Sequence, residues 1–163
     1  MTRAMLLPLP ASNARAMSLE NHLALVAMRG ADGNAELMVR LLRTFYLSYF
    51  LHEAVHGRTE LQPFREVEAV LLHSVSRGER NEGWALSPAD SAILGNVLTL
   101  HDQQLASIPV HVLEVARVRL QRFAASDLDS PIPREKAGEP SGHATPFVAH
   151  TLRAETANEQ RAS

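Results

Sequence analysis

The chain contains no cysteine. That absence excludes disulfides, thiolate zinc sites, iron–sulfur clusters and cysteine nucleophiles together. Aromatic residues make up only 5% of the chain, and lysine occurs once, at Lys136, against fifteen arginines. No stretch approaches the roughly 18 uncharged apolar residues of a membrane span. The one early apolar patch, residues 5–7, is cut by Pro8 and Pro10, well short of the roughly 7 to 15 residues an export signal needs. The expectation is a cytoplasmic protein with no membrane contact. Charge of a single sign is missing too: 16 basic and 18 acidic side chains leave a formal charge of -2. Within residues 1–125 twelve basic and twelve acidic groups cancel, so no global field draws the molecule to nucleic acid or anionic lipid.

What is present is apolar content of 45% in 163 residues, enough for one compact core. Five segments combine a capping residue, an apolar stripe of helical period and a breaker. Ser18 caps a first helix with Leu19, Leu23 and Val26 inward, stopped at Gly30. The second runs over 35–56, with Met38, Leu41, Leu42, Phe45 and Tyr49 on one stripe, Arg40 and Arg43 on the far side, and Gly57 as its stop. Thr59 and Gln62 form a capping box for a third helix that carries Phe64, Val67, Leu71 and Val75 up to Gly78. Ser87, Pro88 and Asp90 open a fourth, which turns Ile93, Leu94, Val97, Leu98 and Leu100 inward. Ser107 and Pro109 open a fifth with Val112, Leu113, Ala116, Leu120 and Phe123 inward. Nothing alternates with period two, so the predicted class is all-α. It is a small five-helix bundle over 18–125, with an irregular arm over 1–17, Trp84 in an edge loop and a disordered tail over 126–163. Within that tail a fraying helix is expected around 151–160. An apolar edge around Tyr46 and Phe50 suggests a homodimer.

One string carries chemistry: His52-Glu53-Ala54-Val55-His56. Two histidines four apart on a helix project from one face and can bind one zinc ion, with the intervening glutamate as general base to a metal-bound water. In outline the string resembles the helix motif of zincin metallopeptidases, which implies His52 and His56 as ligands and Glu53 as base. The metzincin extension fails, since its glycine and histidine positions hold Thr59 and Gln62. A third ligand then has to come from the next helix, from Glu66 or, better placed, Glu68. The same residues also fit a purely structural role. Both histidines lie on the stripe of Met38, Phe45 and Tyr49 and can close it, with a ring nitrogen bonded to a carbonyl or to Glu66 or Glu68. Elsewhere His101, Asp102 and His111 read as separate solvated groups, and Gly30 and Gly33 lack the strand and lysine of a phosphate loop.

Residues 101–123 invite a helix-turn-helix reading. Gln103, Gln104, Leu105 and Ala106 end one helix, Ile108-Pro109 makes the bend, and Arg117, Arg119 and Arg122 decorate the next as candidate DNA-phosphate contacts. The runs Arg3-Ala4-Met5-Leu6-Leu7-Pro8-Leu9-Pro10 and Glu20-Asn21-His22-Leu23-Ala24-Leu25 resemble small proteobacterial mobile-element proteins loosely labelled Fis-type transcriptional regulators. That resemblance implies an accessory or regulatory role. Taken together, the sequence is read as a regulatory or accessory protein without catalytic residue, metal or cofactor, acting on a protein partner or DNA. The competing reading is a zinc-dependent hydrolase that uses His52, His56, Glu68 and Glu53.

Overall fold

A computed structural model describes residues 2–134. A 3-10 turn, Arg3–Leu6, precedes five helices: α1, Ala11–Ala27; α2, Ala35–His56; α3, Gln62–Glu79; α4, Pro88–Ser107; and α5, Val110–Ala124. No strand occurs among the described residues. The nearest approach is one isolated bridge between Pro8 and Pro109, beside a bond from the Val110 amide to the Leu7 carbonyl (2.9 Å). The all-α bundle is therefore as expected, and none of the described helices is long and apolar enough to cross a membrane.

Helix α2 is the axle. Every residue from Thr44 to Leu51 is buried, a pattern that only a helix covered on all sides can show. It packs against α1, α3, α4 and α5, while α1 also packs on α4, and α5 on the N-terminal 3-10 turn. Local chemistry sets its ends where the sequence places them. The Asn34 side chain accepts from the Leu37 amide at 3.0 Å, and Gly57 follows the last turn at φ +69°, a left-handed value that favours glycine. Likewise Ser87 accepts from the Asp90 amide at 3.1 Å to start α4.

Several expectations need correction. Helix α1 starts at Ala11, with Pro10 as its N-cap, so part of the supposed irregular arm is helical and Ser18 lies mid-helix. A proline just ahead of the first turn loses no hydrogen bond and presets the chain for the helix. Helix α1 also faces the other way: Asn21, Ala24 and Leu25 go inward, whereas Leu19, Leu23 and Val26 are exposed. At α3 the cap residue is Leu61. The Thr59 hydroxyl is turned back to the His56 carbonyl (3.0 Å), and Gln62 reaches Glu66, so no capping box forms. Gly78 does not stop α3, which runs to Glu79; its missing side chain makes room for the Trp84 indole.

Tyr46 and Phe50 are 0% and 4% exposed, so they do not form the open apolar edge expected from sequence. The Tyr46 ring packs edge-on to Phe123, with centroids 4.9 Å apart. The start of the predicted disordered tail is also in place. Ile132 is buried, the Tyr49 hydroxyl points at the Pro131 carbonyl (3.4 Å), and the Arg65 guanidinium donates to the Pro133 carbonyl (2.8 and 3.1 Å). The remainder of that tail, including the helix expected at 151–160, lies outside the described residues.

Candidate functional site

At the end of α2 the two histidine rings stack, with centroids 4.8 Å apart, and His52 also lies 4.9 Å from the Phe64 ring. His52 Nε2 sits 3.1 Å from the Thr59 carbonyl. A carbonyl only accepts, so this nitrogen donates and the ring ties α2 to the loop before α3. The intended third ligands are elsewhere. Glu66 accepts from Gln62 (3.3 Å), and buried Glu68 accepts from the Tyr46 hydroxyl (3.0 Å). Burial raises the Glu68 carboxyl above its ordinary range, partly offset by hydrogen bonds from Ser130 and Tyr46 and by Arg134. Among the described residues no three His, Asp or Glu side chains converge as a metal would require. Neither Glu66 nor Glu68 is therefore brought to the histidine pair as the third ligand expected from sequence.

Glu53 does not fit the role of general base either. Arg58 Nε holds Oε1 at 2.8 Å and Arg119 Nη2 holds Oε2 at 2.5 Å, with the Glu53 side chain only 9% exposed. Burial pushes its pKa up, but the hydrogen bonds and charges of Arg58 and Arg119 outweigh that and leave it lowered. A carboxylate held this way is a poor proton acceptor. Burial, with the neighbouring Glu53 charge, pushes the Tyr49 hydroxyl up to about 12.

The three α5 arginines do not form one surface. Arg119 turns inward to Glu53, with its guanidinium carbon 4.7 Å above the Phe50 ring. Arg117 pairs with Glu114 at 2.6 Å, and Arg122 is exposed. Helices α4 and α5 are not among the packed pairs, because the bend at Ile108-Pro109 sends α5 onto α2 and the 3-10 turn. His111 takes part in that seating through Nδ1, 2.9 Å from the Met5 carbonyl.

A different constellation appears between α1, α2, α4 and α5. A cleft of about 510 Å³ is lined by Arg40, Arg43 and Arg117, by Glu20 and Glu36, and by His101. Arg40 Nη1 meets Glu20 at 2.8 Å on the rim, and the Thr44 hydroxyl faces Asn21 Oδ1 at 3.1 Å below. His101, expected from sequence to be solvated, is instead 1% exposed, and its Nδ1 has no hydrogen-bond partner among the described residues. Gln104 exchanges bonds with the Ser48 hydroxyl (2.9 Å) and carbonyl (3.0 Å), and Asp102 meets His22 at 2.8 Å. Burial pushes His101 down to about 4, with Arg117 acting in the same direction against Gln104 and Asp102. The ring is neutral at pH 7.

Sequence reasoning missed this cleft because its residues come from four helices with no shared motif. A partial signal existed: His101 continues the inward series Leu94, Val97, Leu98 and Leu105 of α4, a position where a solvated group does not belong. No family model, curated protein or solved structure matches the chain.

Proposed function

We propose that this chain is a non-enzymatic accessory or regulatory protein that acts by binding, and that its outer α1 face takes a second copy of the chain. One observation carries this: Leu19, Leu23 and Val26 stand 60%, 57% and 59% exposed. Three large apolar side chains at i, i+4 and i+7 are the anchors by which one helix seats on another, each worth roughly 1.5 to 3 kcal/mol on full burial. With exposed Ala16 the stripe steps by three, four and three residues, the rhythm of a two-stranded helical seam. Helices α2 and α4 hold the opposite face of α1, so the stripe is presented on a rigid support.

Charge favours one orientation. In a parallel pair Arg15 of one copy flanks Glu20 of the other, opposite signs five positions apart; an antiparallel pair sets Glu20 against Ala27 and Arg15 against His22. The resemblance to Fis-type regulators supplies the regulatory setting, and a two-fold dimer is the form in which such proteins meet a symmetric target.

Sedimentation velocity at two well-separated concentrations tests the proposal. The wild type is expected to shift toward dimer on concentration, and Leu19→Glu with Leu23→Glu to remain monomeric at unchanged helical circular dichroism. A wild type that stays monomeric at the highest concentration reached overturns it.

A further inference from the structure

The cleft between α1, α2, α4 and α5 shares Glu20 with the flank of the α1 seam but none of its apolar anchors, and its chemistry points to a ligand. Its volume of about 510 Å³ falls within the roughly 300 to 1,000 Å³ typical of small-molecule sites. Three guanidinium groups, of Arg40, Arg43 and Arg117, line it together with the carboxylates of Glu20 and Glu36. Arg40 and Arg117 keep donors in reserve. Arg40 commits Nη1 to Glu20 and Arg117 commits Nη1 to Glu114, while Arg117 Nη2 meets only the thioether of Met17, at 4.0 Å. Sulfur is a weak acceptor, and each guanidinium offers five N–H groups in a planar fork matched to oxyanions.

The second observation is independent of charge. His101, buried to 1% exposure, leaves Nδ1 without a partner at a position lining this cleft. A buried polar atom left unpaired is costly, and a core selected only for stability would carry leucine there. Met17, Leu47 and Leu120 add apolar lining for a carbon body beside the polar groups.

We propose that this cleft binds a small molecule bearing a carboxylate or phosphate group, with Arg40 and Arg117 forking its oxygens and the His101 ring completing the site. The neutral ring neither repels the bound anion's arginine partners nor needs a counter-charge of its own.

Isothermal titration calorimetry of the full chain at low salt, with inorganic phosphate and with succinate as separate probes, tests this. One saturating site per chain is expected for at least one probe, weakened about tenfold or more in Arg40→Gln and in Arg117→Gln. Arg80→Gln, whose guanidinium pairs with Glu82 outside the cleft lining, is expected to bind like wild type. The imidazole ¹⁵N resonances of His101 should move along the same saturation curve. Saturation by phosphate alone assigns a phosphate ligand, and by succinate alone a carboxylate. Failure of both probes to saturate, or full-strength binding in both glutamine variants, overturns the proposal.

Discussion

Arg119 Nη2 lies 2.5 Å from Glu53 Oε2, and this pair joins the end of α2 to the middle of α5. Two residues that sequence reasoning assigned to different chemistries, a catalytic base and a DNA contact, neutralise each other. Phe50 beneath the guanidinium, at 4.7 Å, adds a cation–π contact.

Removing the charge of Glu53 therefore acts on stability. Glu53→Gln leaves Arg119 partly buried beside an amide, and the expected loss is about 2 kcal/mol, discounted because the Arg119 side chain is 34% exposed. The sign with pH follows from the lowered carboxyl. Its contribution is complete above the ordinary carboxylate value and disappears as pH falls through the folded-state value. Urea unfolding should show the wild type ahead of Glu53→Gln at pH 7 and the gap closing in acid. A gap that persists unchanged in acid would refute the pairing.

His101 gives the opposite kind of group, a base whose charge is suppressed. Its folded value of about 4 against an ordinary 6.5 means the unfolded chain binds the extra proton between those limits. Stability should be unaffected by His101 above pH 6.5 and fall as pH drops through the window, by roughly 3 kcal/mol in all. Glu68, raised by burial, has the reverse sign and favours the fold in acid. The difference between wild type and His101→Leu cancels that contribution. Neighbouring Arg117, Asp102 and the His22 bound to it are present in both proteins. The measurement is the slope of unfolding free energy between pH 6.5 and 4, which should flatten in the variant.

Gly78 and Gly95 make a matched pair of tests. A Cβ at Gly78 would sit inside the Trp84 indole, whereas one at Gly95 meets nothing nearer than Leu25 Cδ2 at 3.9 Å. Gly78→Ala should cost about 2 kcal/mol by forcing the indole out. Gly95→Ala, mid-helix in α4, should gain about 0.5 to 1 kcal/mol. Trp84 is the only tryptophan, so a red-shifted emission confined to Gly78→Ala is the direct readout.

Helix α2 was legible end to end because its limits are written in local chemistry, Asn34 at one end and Gly57 at the other. Helix α1 was not. It carries two faces of mixed character, and periodicity cannot say whether Leu19, Leu23 and Val26 or Asn21, Ala24 and Leu25 face the core, since that is decided by what α4 and α2 offer. The same limit hid the cleft. Arg40, Arg117 and His101 are far apart in sequence, and their meeting is a product of helix packing alone. The His-Glu-x-x-His string was legible as a pattern, yet its partners were chosen by the tertiary fold: Thr59 for His52, Arg58 and Arg119 for Glu53.

Orientation of the proposed α1 seam can be read by cross-linking. The natural chain has no cysteine, so single substitutions report without background. In a parallel pair each seam residue meets its own copy, and two β-carbons about 4 Å apart close readily into a disulfide. Leu19→Cys alone and Leu23→Cys alone should each oxidise to covalent dimer. In an antiparallel pair Leu19 instead meets Leu23, so each single variant would stay monomeric and only their mixture would cross-link. Leu61→Cys, at a buried position before α3, should remain monomeric in either case. Dimer from both seam variants and none from Leu61→Cys is the expected outcome. Cross-linking restricted to the mixture would keep the seam and reverse its direction, against the pairing of Arg15 with Glu20.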